Sequence, residues 1–221
     1  MSSLPSNITR PPYLKPTGLA ARKAAAQSEA LAAGKTITIT PQEMEHRIGI
    51  VFDDSGSMSS RMSDAHKAVE EFLRSCEKDK TAVAIYPMNE SPLALSSNLP
   101  ALAILVQKIH ATGSTPLLQT LKDILRKENL TRAIVFSDGQ PDNDRGIETI
   151  AEFKKPVDTV YIGRDNPYAE DFMRRLAEAT GGIYLKFDPN SPNFRNSFKY
   201  LSPGLRYMLA DKSFVEKLQG K

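Results

Sequence analysis

Residues 48–58 read Ile-Gly-Ile-Val-Phe-Asp-Asp-Ser-Gly-Ser-Met, an apolar run that delivers two carboxylates and two hydroxyls into one tight turn. A continuous apolar run bounded by a turn reads as a fully buried strand, and in an α/β sheet ligand groups collect at the C-terminal ends of such strands. Alternate turn residues, Asp53, Ser55 and Ser57, can point oxygens at a common centre, with Gly56 letting the backbone bend. Hard oxygen donors without sulfur or imidazole favour Mg²⁺, Mn²⁺ or Ca²⁺ over zinc or copper.

From His46 onward, apolar strands alternate with amphipathic helices, the signature of a sheet covered on both faces. Strands are expected at 46–53, 81–88, 93–96, 132–137, 157–163 and 182–187. Helices are expected at about 58–77, 100–109, 116–128, 143–153, 168–179 and 203–218, the last opening on Ser202-Pro203 as a capped start. Only Asn89 to Pro92 separate the second strand from 93–96, so this link suits a hairpin and an antiparallel edge strand.

At 221 residues the chain suits one α/β domain with an appendage. The division expected is 1–43 for a basic arm and 44–221 for the domain. Pro5, Pro11, Pro12 and Pro16 keep the start extended, Thr17 to Ala33 is rich in helix formers, and Gly34 stops that helix. Thr36 to Thr40 alternates with period two and suits an edge strand or connector. The first forty residues carry Arg10, Lys15, Arg22, Lys23 and Lys35 against Glu29, hence +4 of the formal +3, and leave the domain near neutral. That balance argues against nucleic acid as a partner. No apolar run approaches the about 20 residues that span a bilayer, and the start lacks the apolar core of a secretory signal. Cys76, the single cysteine, reads as a packing residue and favours a reducing, cytoplasmic setting. A particle component is the alternative, and the Arg-containing, acid-poor start gives a weaker hint of organelle import.

Two later segments extend the first motif: Thr112-Gly113-Ser114-Thr115-Pro116-Leu117, and an apolar strand that ends in Ser137-Asp138-Gly139. Together with Asp53-x-Ser55-x-Ser57 they resemble, in order and separation, the metal-ion-dependent adhesion site of von Willebrand factor type A domains of intracellular type. The resemblance runs from about His46 to about Pro189. It implies a doubly wound, mostly parallel six-stranded sheet of order 3-2-1-4-5-6 with one antiparallel edge strand. It also implies a non-enzymatic protein-interaction module. Ser55, Ser57 and Thr115 would bind Mg²⁺ (or Mn²⁺ or Ca²⁺) directly, and Asp53 and Asp138 directly or through water. A partner's Glu or Asp would complete the shell. Residues 1–35 would attach the module, as an adaptor or component, to a larger assembly.

Asp54 should alternate away from the ion, to cap a helix or face solvent. Asp142 and Asp144 are expected to ring the site or cap the next helix, with Asn89, Glu90, Met58, Ser59 and Arg145 on the rim. His46, His66 and His110 have no ligand-like spacing, and His66 is expected to decorate the first helix. Gly34-Lys35-Thr36 fails as a phosphate loop because Glu29 stands where its first glycine belongs. Lys199, Tyr200, Arg206, Tyr207 and Lys212 read as a solvated helix face beside a packed one. Two other functions stay open: a metal-dependent phosphohydrolase using Asp53 as nucleophile, against which Ser55 stands where an acid is needed, and a metal-free scaffold.

Overall fold

The computed structural model describes residues 45–203, apart from 78, 128, 129, 165, 189 and 191–193. The expected arm, its helix, the 36–40 segment and nearly all of the 203–218 helix lie outside the described residues.

Six strands form one sheet in the order β3-β2-β1-β4-β5-β6: β1 (His46–Phe52), β2 (Thr81–Pro87), β3 (Leu93–Ser96), β4 (Arg132–Ser137), β5 (Val157–Tyr161) and β6 (Tyr184–Lys186). Only the β2–β3 pair is antiparallel; β1 lies parallel between β2 (Ile50 opposite Ile85) and β4 (Ile50 opposite Ile134). From β1 the chain winds first toward β3 and later, through β4, toward β6. The crevice between β1 and β4 is therefore the topological switch, where loops after neighbouring strands part and leave room for a ligand.

The side-chain alternation of the strands builds two cores. Ile48, Ile50, Phe52, Ile134 and Phe136 face α1 (Met62–Ser75) and α2 (Leu99–Val106). Val51, Ala133 and Val135 face α3 (Leu117–Lys127) and α5 (Pro167–Thr180), with α4 (Ile147–Ala151) beside them. On α1 the buried residues are Ala65, Ala68, Val69, Phe72 and Leu73, one stripe at helical spacing. Asn98 and Asn166 cap α2 and α5 by accepting the amides of Ala101 and Ala169, each with proline in the first turn. Among the described residues no helix is long and apolar enough to cross a membrane.

Three local expectations are corrected. The helix expected at 58–77 divides into a 3-10 turn, Gly56–Ser60, and α1, because Arg61 at φ −124° and ψ −1° leaves helical geometry while Met58 plugs into the core. The helix expected at 143–153 begins only at Ile147, since Gly146 at φ 103° cannot continue a right-handed turn. A short helix, α6 (Phe194–Lys199), was not expected; Phe198 anchors it in the core, and Ser202 Oγ closes it by donating to the Lys199 carbonyl at 2.8 Å.

Candidate metal centre

Asp53 follows β1 and Asp138 follows β4, so the parallel pairing of those strands sets the two carboxylates side by side at the switch. The first turn is tied to β4 by Asp53 N–H donating to the Phe136 carbonyl at 2.9 Å. It is tied to the second loop by Gly56 N–H on the Gly113 carbonyl at 3.1 Å and by Thr112 N–H on the Asp54 carbonyl. The second and third loops exchange two bonds: Thr115 N–H donates to Asp142 Oδ1 at 2.9 Å and Asp142 N–H to the Thr115 carbonyl at 3.0 Å. The backbone thus holds all three sequence-identified loops together, and Asp53, Ser55, Thr115 and Asp138 are all buried. Ser57 is exposed, with its Oγ 3.0 Å from Ser55 Oγ.

The two carboxylates are held differently. Both oxygens of Asp53 are engaged, Oδ1 by Ser55 N–H at 3.0 Å and Oδ2 by Ser137 Oγ at 2.5 Å. Burial raises its carboxyl above the ordinary range; those hydrogen bonds pull the other way, and the Asp138 charge adds to the rise. Asp138 Oδ2 takes a charge-assisted bond from Arg61 Nη1 at 2.7 Å, while its Oδ1 is buried with no hydrogen-bond partner among the described residues. A fully buried carboxylate oxygen without a donor is costly unless a cation serves it. Two carboxylates and three hydroxyls form an all-oxygen set that fits a hard divalent ion.

Asp54 does point away from this centre, but neither caps a helix nor meets solvent. It is fully buried, and its Oδ1 accepts Met88 N–H at 2.9 Å, Asn89 N–H at 3.0 Å and Asn89 Nδ2 at 3.0 Å. Burial raises its carboxyl too, against the bonds from Asn89. Asn89 bridges onward, donating from Nδ2 to the Ser114 carbonyl at 2.9 Å and accepting Ser114 N–H on Oδ1 at 3.2 Å. Gly56, expected to give the bend, has no left-handed φ. That conformation falls to Gly113 at φ +70°, where a Cβ would meet Asn89 Oδ1, and Gly139 at φ +74°, where a Cβ would come within 2.5 Å of the Ala169 carbonyl.

Of the expected rim, Met58 is core instead, Glu90 accepts the His110 amide at 3.2 Å, Ser59 bonds Gly56 O, and exposed Arg145 bonds Asn143 Oδ1 through its backbone N–H. Asp144 meets the Tyr168 hydroxyl at the start of α5. His66 is half-buried: it stacks on Phe52 at 5.7 Å between ring centroids, lies 3.2 Å from the Ile109 carbonyl through Nε2, and burial lowers its pKa. Burial pushes the Cys76 thiol up to about 12, as suits an inert packing residue. Arg61 is the site residue that sequence reasoning missed, since nothing local marks one arginine after the turn as the partner of an aspartate far along the chain.

No curated protein sequence matches the chain at a significant level. In fold it is similar to the pilus adhesin SpaC from Lactobacillus rhamnosus GG in its open conformation, at 12% identity and a TM-score of 0.54, over 71% of this chain and 29% of that one. It is also similar to proximal thread matrix protein 1 from the mussel byssus, at 16% identity and a TM-score of 0.50, over 71% of this chain and 45% of that one. The chain thus spans less than half the length of either, and at such identity the likeness speaks for fold alone. Residues 46–185 match the family model of the von Willebrand factor type A domain, which is more than half of the chain, and the protein therefore belongs to that family.

Proposed function

We propose that this domain is a divalent-metal-dependent protein-interaction module that takes up Mg²⁺, or Mn²⁺ or Ca²⁺, and binds an acidic residue of a protein partner. Asp53, Ser55, Ser57, Thr115 and Asp138 would hold the ion. When bound, the ion supplies a Lewis-acidic position that a Glu or Asp carboxylate can fill. The observation that carries this reading is the orphaned Oδ1 of the fully buried Asp138 at the loop cluster containing Ser55, Ser57 and Thr115. The chain's own part is preorganisation: backbone bonds between the loops fix the donors before any ligand arrives, so little ordering entropy opposes binding. Adhesin and thread-matrix proteins share the fold. Residues 1–35 would serve as the attachment to a larger assembly, in a cytoplasmic setting. Against a phosphohydrolase with Asp53 as nucleophile stands Ser55, at the position where a second acid is needed.

Calorimetric titration of the full chain with Mg²⁺ and Mn²⁺ tests the metal. Heat and a raised thermal midpoint are expected for the wild type, and neither for Asp53→Asn. Absence of both in the wild type refutes metal dependence. Affinity capture with and without chelator then tests the partner, whose retention in excess chelator would contradict the proposal.

A further inference from the structure

Arg61 stands at the break between the 3-10 turn and α1, and its backbone is held on both sides. Its N–H donates to the Met58 carbonyl at 2.7 Å, and its carbonyl accepts the Asp64 and Ala65 amides, each at 2.9 Å. From this fixed base the guanidinium reaches Asp138 Oδ2 at 2.7 Å, with the arginine side chain 20% exposed and the aspartate side chain fully buried. It covers one carboxylate oxygen and leaves the other without a partner among the described residues. A guanidinium does not lose its proton in proteins, so this is a permanent positive charge.

Charge balance gives that position a consequence. Asp53, Asp138 and Arg61 together carry one net negative charge, and a divalent ion turns this into one net positive charge. A single carboxylate cancels it. The neighbouring Asp54 and Asp142 carboxylates are turned onto the amides of Met88, Asn89 and Thr115. The geometry points to Arg61 as a resident counter-cation that strengthens the mutual dependence between loading of the divalent ion and capture of an acidic side chain. This rests on the metal-dependent reading above. Without an anion, ion and guanidinium share Asp138 and repel each other; with a carboxylate bound, the repulsion is offset. Linkage then requires the ion to strengthen carboxylate binding by the same factor.

The test is Mg²⁺ titration of the full chain in chloride buffer and in the same buffer with acetate at equal ionic strength, acetate being the carboxylate probe. The wild type is expected to bind Mg²⁺ about tenfold more tightly with acetate, Arg61→Gln to bind it about tenfold more tightly than wild type in chloride, and acetate to help the variant about threefold less than it helps the wild type. In thermal unfolding, Arg61→Gln should melt lower than wild type without metal and gain more from Mg²⁺. Arg61→Lys keeps the charge and should keep the acetate effect, which provides a readout if the glutamine variant folds poorly. Equal or weaker Mg²⁺ binding by Arg61→Gln in chloride, an undiminished acetate effect in it, or loss of that effect in Arg61→Lys overturns the proposal. A wild type that takes up no Mg²⁺ in either buffer refutes the metal reading and this inference together. Uptake that Arg61→Gln leaves unchanged refutes the inference alone.

Discussion

Asp53 and Asp138 are both fully removed from water, and the protein meets the cost of each charge by different means. Dipoles from Ser55 and Ser137 serve Asp53, whereas a formal charge serves half of Asp138. Because burial raises the Asp53 carboxyl on folding, its protonated form favours the native state. That contribution is complete below the unfolded value and is lost as pH rises through the native value. Ion uptake has the opposite sign, since it needs the carboxylate. Mg²⁺ affinity should therefore fall as pH drops through the native Asp53 value, starting above the ordinary carboxylate range of about 3.9, as calorimetry at a series of pH values would record. Affinity that stays flat down to that range would contradict it. Asp53→Asn should leave the metal-free melting point unchanged or higher, because it removes a buried charge and keeps an acceptor for Ser55 N–H.

At the scale of elements, hydrogen bonds run from loop to loop across the edge of the sheet. Asn89, just beyond β2, is the joint: one side chain bonds the Asp54 carboxylate and both backbone groups of Ser114. Asn89→Ala should cost about 1 kcal/mol, since the residue is exposed and water can replace part of what is lost. Hydrogen exchange should quicken at the Ser114 amide while the β1 amides keep their protection. Uniform loss across the sheet would show that the joint is not local. The short link before Leu93 marked the antiparallel edge, and the sequence pattern located β3 and β4 with the observed bounds. It misjudged the first helix, whose amphipathic stripe continues smoothly through Met58. Only burial of Met58 and the geometry of Arg61 interrupt it.

At the scale of the whole molecule, a buried ion pair among the described residues fastens the end of the sheet opposite the loops. Arg132 at the start of β4 reaches Asp158 Oδ2 on β5 at 2.6 Å, with side-chain exposures of 5% and 0%, and also bonds the Leu201 carbonyl beyond α6. Asp158 Oδ1 in turn accepts Ile183 N–H at 2.8 Å. Removing one member of such a pair leaves an uncompensated charge, so Arg132→Ala should lower stability by about 3–5 kcal/mol in urea unfolding. A loss below about 1 kcal/mol would mean that solvent reaches the pair.

What the amino-acid order determined by itself is everything carried by short-range pattern: strands buried on both faces, an antiparallel edge from a four-residue link, two oxygen-rich turns at strand ends and a third before an amphipathic helix. Alternation and helical spacing encode these because a side chain's face follows directly from its position in the element. Tertiary structure alone decided that Arg61 meets Asp138 across 77 residues, that Asp54 is buried under Asn89, and that the first helix breaks at Arg61. Those outcomes depend on which chain segments the sheet brings side by side, and no local period records the distance between them.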